Sequence, residues 1–85
     1  MNFSKALELI KSGKRLKRKN WNGANMFVYF VSEGKYQAKS NCIKGVYEND
    51  LVPYGAYLAF RTSSGEIVPW CASQSDLLAS DWCEA

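Results

Sequence analysis

The sequence predicts an α+β domain: a small antiparallel sheet with an N-terminal helix and a short C-terminal helix. Three observations predict it. Phe3, Ala6, Leu7 and Ile10 recur at helical spacing; residues 26–31 are an apolar run of strand length and 57–62 read as a second strand; and turn formers separate the segments. The order helix, strands, hairpin, short helix, strand sets helices beside an antiparallel sheet rather than between parallel strands. A chain of 85 residues makes one domain, spanning 1–85.

Asn2 or Ser4 caps the first helix, Lys11 near its end suits the helix dipole, and Gly13 takes the left-handed position that stops it. Residues 14–18 read as a short strand, polar apart from Leu16. Alternation puts Arg15 and Lys17 on one face and Lys14 and Arg18 on the other, so only one pair faces a given ligand. Asn20-Trp21-Asn22-Gly23 is a turn. Residues 26–31 are six consecutive apolar or aromatic residues and read as a strand buried on both faces. Ser32-Glu33-Gly34-Lys35 breaks that run.

Residues 36–54 show no sustained period and read as a long loop with room for one short strand. Residues 57–62 and 66–68 form a hairpin around Ser63-Ser64-Gly65, and Pro69, which lacks a backbone donor, ends it. Ser73 caps a brief helix over 73–80, with Asp76 at its third position and Leu77 and Leu78 inward. A last strand or tail carries Trp82, expected to serve packing.

No run approaches the roughly 20 apolar residues of a membrane span, and the first eight residues alternate polar with apolar instead of forming a signal block. A cytosolic location is expected. Cys42, Cys71 and Cys83 are odd in number and lack a Cys-x-x-Cys spacing, so reduced thiols are expected. Apolar residues make up 47% and aromatics 14%, more than so small a core needs; the surplus points to an oligomer interface or a flat ligand. The net charge of +3 hides an asymmetry: ten of the eleven cations lie in residues 1–47, and six of the eight acids in 48–85. The cluster Lys11, Lys14, Arg15, Lys17, Arg18 and Lys19 points to an anionic partner.

The chain has no histidine, which removes the commonest general base near neutral pH and the partner of a cysteine nucleophile. No phosphate-binding Gly-rich motif is present. Asp76 and Asp81 read as a helix N-terminal acid and a solvated one. A non-enzyme without metal or cofactor is expected, one that binds a phosphate-bearing nucleotide.

Lys14, Arg15, Lys17 and Arg18 are candidates for clamping a diphosphate, although a charged, solvated edge strand has the same pattern. Trp21, between two asparagines, is poorly explained as core and is free to stack on a base. Tyr29 in the central strand has a hydroxyl that can reach a ligand. The segment Pro69-Trp70-Cys71-Ala72-Ser73-Gln74-Ser75-Asp76 follows a strand and opens a helix, so its N–H groups suit an anion. Trp70 offers a flat face, and Ser73, Gln74 and Asp76 offer donors and acceptors for ribose or base.

Residues 1–14, the Arg18-Lys19-Asn20-Trp21-Asn22-Gly23 turn and the run 67–82 resemble the phage family of Thoeris anti-defence protein two. The run Trp70-Cys71-Ala72-Ser73-Gln74-Ser75-Asp76-Leu77-Leu78-Ala79-Ser80-Asp81-Trp82 is the specific part, and 36–56 contributes least. The resemblance implies a non-enzymatic homotetramer that captures glycocyclic ADP-ribose, a cyclic ADP-ribose isomer made by a bacterial immune TIR enzyme. Some relatives also hold cyclic dinucleotides at separate sites. On that implication Trp21 and Trp70 wall in adenine, and Arg18 and the 73–80 helix start meet the diphosphate. Ser73, Gln74 and Asp76 then bind ribose or base, with Asn25, Tyr29 and Ala72 completing the contact set between subunits. The competing reading is a small RNA or single-stranded DNA-binding module that uses the basic strand and exposed aromatics.

Overall fold

Asn2 opens the first helix: its side chain accepts the Lys5 N–H at 2.9 Å, satisfying a donor the first turn leaves unpaired. In the computed structural model, which describes residues 1–85, α1 runs Phe3–Lys11 and ends where Gly13 adopts a φ of +103°. Ala6 and Ile10 on its inner side are fully buried, with Phe3, Leu7 and Leu9 half-buried beside them.

The strands are β1 Leu16–Arg18, β2 Phe27–Val31, β3 Gly34–Gln37, β4 Leu51–Tyr54, β5 Tyr57–Arg61, β6 Ile67–Pro69 and β7 Trp82–Glu84; a second helix, α2, spans Gln74–Leu78. Five of the strands form one antiparallel sheet in the order β6-β5-β2-β1-β7. Ser63-Ser64-Gly65 turns β5 into β6, with Gly65 at φ +94°. Pro69 lies inside β6, which its missing donor permits because β6 is an edge strand; the Trp70 N–H reaches the Leu58 carbonyl just beyond it. Ala6, Ile10, Leu16, Val28 and Trp82 form the buried cluster between α1 and the sheet. Burying these apolar side chains between helix and sheet stabilises the domain.

Three readings of the sequence are corrected by this arrangement. First, β2 is buried on one face only: Val28 points into the core, while Phe27, Tyr29 and Val31 on the other face are half-exposed. Both helices lie on the same side of the sheet, α2 against α1, so neither helix covers the opposite face. Ala59 alone is fully covered there, in register between the larger Tyr29 and Pro69.

Second, residues 36–54 hold parts of two strands, where a long loop with room for one short strand was expected. Strands β3 and β4 pair antiparallel from Gly34 opposite Tyr54 to Gln37 opposite Leu51, making a separate two-stranded arm joined through two short 3₁₀ turns. Third, α2 is shorter than expected, and Leu77 and Leu78 face outward, Leu78 being 83% exposed. Five residues make little more than one turn, and its inner side is taken by the Asp76 carbonyl and carboxylate (below).

Gly23 in the turn between β1 and β2 is required by contact rather than by torsion. A Cβ there would overlap the Met26 sulfur and come within 2.8 Å of the Ser63 Cβ, where the turn crosses the β5–β6 hairpin.

Candidate functional site

Trp82 is the post around which the predicted contacts gather. Register places it opposite Arg18, on the α1 side of the sheet, and it is 1% exposed. Its indole N–H donates to the Asp76 carbonyl at 2.9 Å, so the polar end of a buried ring is satisfied. Trp21 and Trp70 each meet it edge-on, with centroids 5.4 Å and 5.8 Å away; Phe3 lies at 5.4 Å. Trp21 also packs edge-on against Phe60. The turn that holds Trp21 folds back over the sheet, so this side chain does belong to the core margin, contrary to the sequence reading. Trp21 and Trp70 are both half-buried.

Beside the tryptophans sits a closed charge cluster. Arg18 donates from Nε to Asp81 Oδ1 at 2.9 Å and from Nη1 to Asp76 Oδ1 at 3.0 Å. Asp81 Oδ2 accepts the Asn20 N–H. Asp76 Oδ2 accepts the Ser73 N–H while Ser73 Oγ accepts the Asp76 N–H, the capping box expected at this helix start. The hydrogen bond from Arg18 holds the Asp81 carboxyl below the usual carboxylate range, against the cost of its desolvation. For Asp76 desolvation pushes upward and is outweighed by bonds from Ser73 and Arg18, so its carboxyl is also lowered. Bonds from Asp81 and then Asp76 raise the Arg18 guanidinium. The geometry thus makes Arg18 a clamp on two carboxylates through Nε and Nη1. It also spends much of the bonding capacity of Ser73 and Asp76. Asp81, expected to be solvated, is part of that clamp; Gln74 stays exposed and Ala72 half-buried.

The remaining predicted contacts lie elsewhere. Tyr29 is on the uncovered sheet face, its ring 5.9 Å from Phe27. Asn25, at φ 60°, borders a hollow of about 330 Å³ whose other walls are Arg15, Lys17, Met26, Phe27, Arg61 and Ala85. A larger groove of about 450 Å³ opens at the base of the β3–β4 arm, where Tyr36, Tyr54, Tyr57 and Lys39 converge.

The family model for the Thoeris anti-defense 2-like domain matches residues 1–85. The chain belongs to this family. It is 37% identical to the Thoeris anti-defense 2 protein of Bacillus phage SP01 over 82 residues, covering 96% of this chain and 91% of that protein.

In this Thoeris anti-defense 2-like domain, Arg18, Trp21, Trp70, Ser73 and Asp76 gather around Trp82 through packing and hydrogen bonds; Ala72 and Gln74 belong to the same 70–76 segment, and Asn25 and Tyr29 do not join them. The alternation read from 14–18 holds: Lys14 pairs with Glu84 at 3.5 Å and Arg18 with the two aspartates, so that face is neutralised. Arg15 and Lys17 carry no ion pair. Tyr36 and Tyr54 of the groove had no sequence signal, because β3 and β4 are only four residues each, too short to show a period. No helix is long and apolar enough to cross a membrane.

Proposed function

We propose that this Thoeris anti-defense 2-like domain binds a cyclic ADP-ribose-type immune signal, glycocyclic ADP-ribose, and holds it without degrading it, so that the Thoeris effector stays silent. The observation that carries this reading is the family match over the whole chain. Two features support the manner of binding. Trp21 and Trp70 pack edge-on against Trp82 and are only half-buried, an arrangement that suits stacking on a purine. The absence of histidine supports holding over chemistry. Sequestration acts by mass action: each 1.4 kcal/mol, roughly, of added affinity lowers the free signal tenfold when protein is in excess.

The test is to mix the protein with glycocyclic ADP-ribose, remove the protein by filtration, then heat it and identify what is released. Stoichiometric capture and return of unmodified ligand are expected; altered ligand overturns the non-enzymatic reading. Trp70→Ala is expected to weaken capture about 5- to 150-fold, the range of one base–aromatic stack worth ~1–3 kcal/mol. Because Trp70 also packs on Phe3, Gln74→Ala probes the same face through an exposed side chain without an internal partner. If both variants capture as well as wild type, the site lies elsewhere.

Assembly into a homotetramer belongs to the same proposal. The radius of gyration is 15.5 Å, against ~12 Å for a compact chain of this length, and the long axis measures 46 Å. The β3–β4 arm causes the elongation and exposes Tyr36, Val46, Tyr47, Leu51 and Tyr54, with Leu77 and Leu78 exposed on α2. Light scattering is expected to give four times the chain mass, and Val46→Glu with Leu78→Glu to give smaller species; a monomeric wild type overturns this part.

A nucleic-acid reading draws on one observation, the basic and aromatic residues of the uncovered sheet face. It requires affinity that grows with oligonucleotide length and falls steeply with salt.

A further inference from the structure

We propose that Arg15, Lys17 and Arg61 form a phosphate-binding site on the uncovered face of the sheet, one that takes a diphosphate or a phosphate monoester dianion.

The register builds it. Arg61 pairs with Phe27 on the neighbouring strand, and the Leu16–Val28 pairing carries on to set Lys17 on the other flank of Phe27. Two cations thus stand two strand spacings apart, ~10 Å, bracketing an aromatic ring. Arg15, two residues from Lys17 and on the same face, lays its guanidinium over the Phe27 ring at 4.9 Å from the centroid. The hollow they border holds about 330 Å³, near the lower end of the ~300–1,000 Å³ typical of ligand pockets.

The side-chain charge there is unpaired. No acidic side chain lines the hollow, which Ala85 also borders, and no ion pair within 4 Å engages the side-chain nitrogens of Arg15, Lys17 or Arg61. Elsewhere in residues 14–18 the chain does supply partners, Glu84 for Lys14 and two aspartates for Arg18. Three cations gathered without a counter-charge repel one another, and a bound dianion relieves that repulsion.

Arg61 is pre-positioned. Its Nη1 donates to the Asn25 carbonyl at 3.0 Å and to the Thr62 carbonyl at 3.3 Å, which leaves its other N–H groups without an internal acceptor. Asn25 reaches that bond by adopting a left-handed φ of 60°. A guanidinium fixed on one edge and free on the other presents a fork suited to two phosphate oxygens. The site faces away from Trp21 and Trp70, so it stands or falls separately from the signal-capture reading.

The probe is inorganic pyrophosphate, titrated into the isotope-labelled full chain with amide and arginine side-chain resonances followed by NMR. Saturable shifts confined to Asn25, Phe27 and Arg61 and their neighbours are expected. Lys17→Gln and Arg15→Gln are each expected to weaken binding about tenfold, as for loss of a charge-assisted contact, and Lys44→Gln, outside the hollow, to leave it unchanged. Arg61→Gln risks the 62–66 turn; Lys17 makes no internal bond, so its variant keeps the test decisive. ADP binding more tightly than pyrophosphate assigns the site to a nucleotide-borne phosphate, and equal affinity to the anion alone; both support the proposal. Shifts that fail to saturate, or Lys44→Gln weakening binding as much as Lys17→Gln, overturn it. Displacement of pyrophosphate by oligothymidine with length-dependent affinity also overturns it, in favour of a nucleic-acid face.

Discussion

Trp82→Ala is expected to destabilise the domain by about 3–5 kcal/mol, the range for deleting a large buried aromatic. Thermal and urea unfolding measure it, and the midpoint should fall by more than about 12 °C. The effect is large because the buried cluster has five members and Trp82 is the biggest of them. Its loss removes the edge-on support of Trp21 and Trp70, leaves Phe3 facing a cavity, and frees the Asp76 carbonyl from its indole donor. Trp82→Phe keeps part of the ring packing and loses only the hydrogen bond and some volume, so it should fall between wild type and alanine. An alanine variant as stable as wild type would mean that the two flanking tryptophans need no central post.

Arg18→Gln is expected to be the most damaging single change among the charged residues. It leaves Asp76 and Asp81 facing each other with side chains only 13% and 28% exposed and no cation between them. Lys5→Gln and Lys14→Gln, whose ion pairs are more than half exposed on both sides, should leave the unfolding midpoint unchanged. The clamp also predicts an acid dependence. Both aspartates hold their protons less tightly folded than unfolded, so their contribution is fully present above the unfolded carboxylate value of about 3.9. It is lost as pH falls from there toward the lowered folded values. Arg18, raised further, stays charged throughout and adds no slope of its own in that range. Urea midpoints measured from pH 7 down to pH 2 should therefore drop below about pH 4, and the drop should flatten in the double variant Asp76→Asn with Asp81→Asn.

Much of the candidate site was legible because its signals are local. A serine three residues before an aspartate forms a capping box wherever a helix starts, and the 73–76 bonds follow from that spacing alone. The clustering of Arg18, Trp21 and Trp70 was expected, but the role of Arg18 was not. Its acceptors lie 58 and 63 residues away, and no pattern near Arg18 announces them. The same distance hides the hollow: Arg61 comes beside Lys17 only through the pairing of β2 with β5 and β1 with β2. One trace did exist, since Arg61 is the only cation among residues 48–85 and ends an otherwise apolar and aromatic strand.

By itself the sequence determined the helix at Phe3–Lys11, its stop at Gly13, the β5–β6 hairpin and the capping box. It also determined that Arg15 and Lys17 share a face opposite Lys14 and Arg18. Each rests on interactions within a few residues, where backbone geometry imposes a period of 3.6 or 2. The tertiary structure alone decided that both helices cover one side of the sheet. It also decided that β3 and β4 pair into an arm, that Leu78 faces outward, and which cation pair is neutralised. These depend on which surfaces bury each other most favourably, a competition among distant segments that local periodicity does not record.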